Sequence, residues 1–139
     1  MRLLLTTALL FIAFISFSQT GNPILTMDFV KVKDGRYKEA LYFYENNWKV
    51  YRDIALKKGY IKSYRLVSTQ PDSLVSFDLI LFTEYADSAH FNASEARFQQ
   101  IIKDVRPNGP KLLGNIKPND FRQNLFFRRA ETVFQSEHN

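Results

Sequence analysis

Four stretches of the chain alternate apolar and polar residues, and two others repeat apolar residues every three or four positions. Alternation of period two predicts strands, and the longer period predicts amphipathic helices. Residues 25–33 open the series: Leu25, Met27 and Phe29 alternate with Thr26, Asp28 and Val30, and Asp34-Gly35 ends the strand. Tyr37, Leu41, Tyr44, Trp48, Tyr51 and Ala55 then mark one helical stripe, widened by Phe43, Val50 and Ile54. Lys57 and Lys58 put cations in its last turn, and Gly59 supplies a left-handed stop.

Residues 60–68 predict a second strand, with Tyr64 and Leu66 on one face and Ser63, Arg65 and Val67 on the other. Turn residues Thr69 to Ser73 lead into a third strand over 75–85, so the pair forms an antiparallel hairpin. Asp87 or Ser88 caps a second helix, with Phe91, Phe98, Ile101, Ile102 and Val105 at helical spacing. Pro107, Gly109 and Pro110 break that pattern, and residues 106–120 read as an irregular loop of the kind used for lids and rims. Residues 124–134 close the series as a fourth strand.

The order strand-helix-strand-strand-helix-strand specifies an α+β, ferredoxin-like domain: one four-stranded antiparallel sheet with both helices on one face. The uncovered face would then carry apolar aromatic side chains. A soluble protein that exposes such a face usually gives it a partner, and two sheets meeting face to face close a shared barrel.

Composition changes the picture at the N-terminus first. Met1-Arg2 gives a positive start, and Leu3 to Phe17 runs without a charge. As a helix that run spans about 22 Å, short of the roughly 30 Å hydrocarbon core. Ser16 and Ser18 sit at small-residue positions if cleavage falls before Gln19. Together these features predict a signal peptide over 1–18, export to the periplasm or beyond, a single mature domain over 19–139, and no membrane span after cleavage.

Of the 139 residues none is cysteine, which excludes disulfides, thiolate metal sites and cysteine nucleophiles. Only His90 and His138 are histidines, so a histidine-rich metal centre is excluded too. The net charge of +5 is spread thinly, with acids interleaved, whereas nucleic-acid sites need a clustered basic patch. Asn92-Ala93-Ser94 matches a glycosylation pattern but falls inside a predicted helix.

Three charged residues interrupt apolar strands: Asp28, Arg65 and Asp78. Each must face solvent or sit in a cavity with a partner. If all three faces lined one pocket, Arg65 could pair with Asp28 or Asp78 and orient an anionic ligand; alternation does not say which face is inward. Arg128 and Arg129 point to opposite faces of the last strand. His90, in the first turn of the second helix, could carry a proton or ligate a haem, or simply sit near the cap. Trp48 could stack on a planar ligand, but its place in the apolar stripe favours core packing.

The long first helix (YKEALYFYENNWKVYRDIALKKGY), the hairpin, and the segment FTEYADSAHFNASEARFQQII are similar to those of the dimeric α/β-barrel superfamily. That superfamily includes antibiotic-biosynthesis-type monooxygenases, stress-responsive barrel proteins, EthD-like proteins and NIPSNAP-like proteins. The resemblance covers about residues 25–134 and implies a homodimer closed through the sheets. It also implies a site for an apolar or aromatic small molecule in the barrel. Cofactor-free oxygenase or isomerase chemistry would follow if the chain is catalytic, and some relatives would hold a haem through a helix histidine, here His90. The pattern departs from the monooxygenase members: His90 and Ser94 are four apart instead of three, and Trp48 lies on the first helix and not by the sheet. The chain is therefore not assigned as an enzyme. The other reading is a non-catalytic envelope module that docks a protein through its sheet face or long loop.

Overall fold

A computed structural model describes residues 21–70 and 76–134. The leader expected over 1–18 lies outside the described residues, as does most of the expected turn at 69–73. The elements are β1 (Ile24–Val32), α1 (Tyr37–Phe43), a π-helical turn (Tyr44–Trp48), α2 (Lys49–Lys57), β2 (Ser63–Ser68), β3 (Leu79–Tyr85), α3 (Ser88–Asn92), α4 (Ser94–Val105), α5 (Pro118–Phe121) and β4 (Arg122–Glu131). The strands form one antiparallel sheet in the order β2-β3-β1-β4. This is the ferredoxin-like arrangement expected from the sequence.

Each of the two long helical segments is interrupted once. The first runs from α1 through the π turn into α2, and the second is divided at Ala93 between α3 and α4. A π turn leaves backbone carbonyls without their usual partners. Asn47, buried at 1% exposure, donates its amide to Phe43 O and also to Lys111 O, at 2.9 and 2.7 Å. Its side-chain oxygen accepts from Lys111 N at 2.8 Å. Arg106 adds a 2.7 Å bond to Asn46 O. The irregular loop is thus clamped to the first helix. Asp87 caps α3 by accepting from His90 N, and Gly59 stops α2 at φ 68°.

Alternation assigns the faces of the sheet. Ile24, Thr26, Asp28, Val30 and Val32 of β1 look toward the helices, together with Leu79, Leu81, Thr83 and Tyr85 of β3. Beneath the helices the core forms two clusters. One gathers Val30, Val32, Tyr44, Trp48, Leu81 and Phe121; the other gathers Ile24, Tyr51, Ala55, Ile61, Tyr85 and Ile101. Among the described residues no helix covers the opposite face of the sheet. It carries Leu25, Met27, Phe29, Ile80 and Phe82, all only partly buried, and Phe126 at 40% exposure. Phe29 stacks on Phe126 with ring centres 4.4 Å apart, and Phe77 packs edge-on to Phe29 at 4.9 Å.

One irregularity decides which residues of β4 reach the helix side. Phe126 pairs with Phe29 and Asn124 with Val30, so Leu125 is bulged out of register. Uninterrupted alternation from Phe127 would have turned Leu125 and Gln123 toward the helices. The bulge turns Asn124 and Arg122 there instead.

Candidate functional site

A cavity of about 230 Å³ lies at the seam between the two core clusters, walled by β1, β4, the π turn and α2. Asp28, Tyr44, Asn47, Trp48, Arg52 and Arg122 line it, with Val30, Leu81 and Ile102 as apolar walls. A wider cleft of about 510 Å³ adjoins it toward α3 and α4, and Asp28, Arg52 and Ile102 border both.

Three ionisable side chains therefore meet under the helices. The Arg52 guanidinium lies between two aromatic rings, 4.8 Å from the centre of Trp48 and 4.2 Å from that of Phe98. Arg122 stacks at 4.7 Å from Phe43 and 5.6 Å from Tyr44, and its Nη1 donates to Asn124 Oδ1 at 2.9 Å. Such stacking fixes the plane of a guanidinium but neutralises no charge. Arg52 Nε, Arg122 Nε and Tyr44 Oη are buried without a hydrogen-bond partner.

The electrostatics follow from this crowding. Burial pushes the Asp28 carboxyl above its usual range, while the charges of Arg52 and Arg122 pull it part of the way back. Burial lowers the Arg52 pKa to about 10, against weaker support from Tyr85 and Asp28, so it stays cationic at neutral pH. Burial raises the Tyr44 hydroxyl, and the neighbouring Arg122 opposes that rise. Arg122 favours the ionised phenol through its charge, yet Tyr44 Oη finds no partner at hydrogen-bonding geometry. Two fixed cations beside this carboxyl can hold negative charge on a bound molecule.

The residues singled out from the sequence do not converge. Asp28 faces the cavity. Arg65 pairs across from Phe82 on the uncovered face and lies 5.2 Å from that ring, so the sheet itself separates it from Asp28. Asp78 also belongs to that side, where it accepts from Val32 N at 2.6 Å and meets Lys31 Nζ at 3.4 Å. It ties the end of β1 to the start of β3, and no Asp28–Arg65–Asp78 pocket exists. Arg128 and Arg129 do point to opposite faces, over Phe126 and Phe91 respectively.

His90 sits in α3 with Nδ1 2.8 Å from the capping Asp87 Oδ1. It lines neither of these two cavities. Among the described residues, no group of three or more His, Asp or Glu side chains could hold a metal ion. No helix among them is long and apolar enough to cross a membrane.

Arg52 and Arg122 are the residues that sequence reasoning missed. Arg52 stands one turn after Trp48, on the flank of a stripe read as core. Arg122 enters only through the bulge at Leu125, which no alternation pattern announces.

No family model and no curated protein matches the chain. Among solved structures, HapK from Hahella chejuensis superposes with a TM-score of 0.52 at 9% identity, over 84% of this chain and 98% of HapK. A dimeric ferredoxin-like protein from an uncultured marine organism gives 0.48 at 17% identity, over 83% and 96% of the two chains. A Dabb family protein with a ferredoxin-like fold from Mesorhizobium loti gives 0.40 at 12% identity, over 83% and 99%. The fold defines the chain as a ferredoxin-like α+β protein, the architecture that its sequence resemblance to dimeric α/β-barrel proteins implied.

Proposed function

We propose that this protein is an exported homodimer that holds an apolar or aromatic small molecule in the cavity between its sheet and its helices. The observation that carries this reading is the trio of unpartnered polar atoms, Tyr44 Oη, Arg52 Nε and Arg122 Nε, buried around an aromatic-walled cavity. Buried polar groups are nearly always paired, and each one left unpaired costs about 1–3 kcal/mol. A ligand with acceptor atoms at one end relieves that cost, and Trp48, Val30 and Leu81 receive its apolar part.

A second copy of the chain is the partner proposed for the uncovered face. Its Met27, Phe29, Phe82 and Phe126 form an apolar row, with Arg65 and Arg128 set among them. An isologous contact matches the same row on both subunits. The rival reading, an envelope module docking a different protein, draws on the same exposed row. The long loop is poorly suited to that task because Asn47 clamps it at Lys111.

Native mass spectrometry of the mature chain, purified from its own export route, tests the proposal. The expected species is a dimer with a small adduct on each chain. A bare monomer would overturn the dimer and move the weight to a foreign partner.

A further inference from the structure

Two guanidiniums and one carboxylate are the charged side chains that line the inner cavity. Among the described residues neither guanidinium forms a direct ion pair with Asp28: Arg122 spends its hydrogen bond on the neutral Asn124, and Arg52 is held by ring faces alone. The next carboxylate, Glu95, borders the outer cleft, where it accepts from Gln99 at 2.9 Å. The cavity therefore carries an excess of one positive charge beside apolar walls.

Resting on the ligand-cavity reading above, we infer that the occupant is an aromatic monocarboxylic acid whose carboxylate lies against Arg52 and Arg122. Each guanidinium lies against aromatic rings, and its Nε finds no hydrogen-bond partner. An edge presenting Nε–H and Nη–H is the geometry that takes a planar carboxylate with two parallel hydrogen bonds. Tyr44 Oη stands ready to donate to the same oxygens. Asp28 limits the charge of the ligand: it balances one arginine and would repel a dianion such as a phosphate monoester. The ring of the acid would sit against Trp48, the single tryptophan of the chain, which makes its emission a direct reporter.

The test compares two probes of the same shape, para-tert-butylbenzoate and the neutral para-tert-butylbenzyl alcohol, by calorimetry and Trp48 emission. The wild-type chain should bind the acid at least about 10-fold more tightly than the alcohol, as expected for charge-assisted over neutral hydrogen bonds. Arg52→Met should abolish that preference, lowering the acid's affinity by about 10-fold more than the alcohol's. Arg122→Gln provides an independent check should the first variant fold poorly. Equal affinities for acid and alcohol would keep the cavity and overturn the acid. Binding of neither would overturn the cavity reading itself. A preference that survives both substitutions would show that the arginines are not its source.

Discussion

Thr26, Asp28 and Val30 look toward the helices while Leu25, Met27 and Phe29 look away, and the two faces of this one strand behave differently. The helix side packs two apolar clusters, and at their seam two arginines and an aspartate are held apart in a cavity. The uncovered side has the opposite character: an aromatic row with charges around it and, among the described residues, nothing over it. Charge is thus buried where the fold leaves a cavity, and apolar surface is left out where the fold has no helix to cover it. Both are costly in an isolated chain, and each becomes reasonable with an occupant: a small acid on one side and a second subunit on the other.

The sharpest contrast comes from two phenylalanines. Phe121 is 1% exposed beneath the helices and Phe126 is 40% exposed on the other face. Phe121→Ala should cost about 3–5 kcal/mol in denaturant unfolding, as large core truncations do. Phe126→Ala should cost the fold about 1 kcal/mol or less and act mainly on dimer stability.

Met27→Glu places a charge at the centre of the uncovered face. It should weaken the dimer by about 100-fold, roughly 3 kcal/mol, in a dilution series read by light scattering, with the circular dichroism unchanged. An unaltered dimer would place the interface elsewhere.

Asn47→Ala removes the clamp between the π turn and the loop, leaving Phe43 O, Lys111 N and Lys111 O to find other partners. The expected cost is about 2 kcal/mol or more in thermal unfolding, with faster hydrogen exchange at Lys111. No loss would mean that the loop is held by its apolar contacts alone.

The smallest effect concerns Asp28. Because its carboxyl is pushed above the usual range, chiefly by burial, its contribution to stability is fully present below the unfolded pKa near 3.9 and is lost as pH rises through the folded value. Asp28→Asn should therefore gain slightly over the wild type at neutral pH and lose that gain on acidification toward pH 4. Asp87 runs the other way: hydrogen bonds from His90 hold it low, so its contribution is present above that range and lost in acid. Thermal melts across pH distinguish the two.

The periods of the sequence made the fold legible: the stripe from Tyr37 to Ala55 is one helical run, and the strand alternations give the faces observed except ahead of the bulge in β4. Strand ends were less so. The third strand begins at Leu79 and not near 75, and Asp78 just before it bonds Val32 N through its carboxylate. The last strand starts two residues early, at Arg122, directly after the turn of α5. The site was legible only as a polar interruption at Asp28. Arg65 and Asp78 interrupt their strands in the same way, and strand parity sends them to the other face. Arg52 and Arg122 were hidden for local reasons, the one within a stripe that looked like core and the other behind a bulge.

The division of labour between the faces can be read in one NMR experiment. Met27 is the only methionine beyond Met1, so its methyl reports the uncovered face, and the Arg52 Nε–H reports the cavity. Dilution should shift the Met27 methyl and leave Arg52 still, while para-tert-butylbenzoate should shift Arg52 Nε–H and leave Met27 still. A methyl that follows the acid while Arg52 stays unmoved would contradict the assignment of ligand to the helix side and partner to the open one.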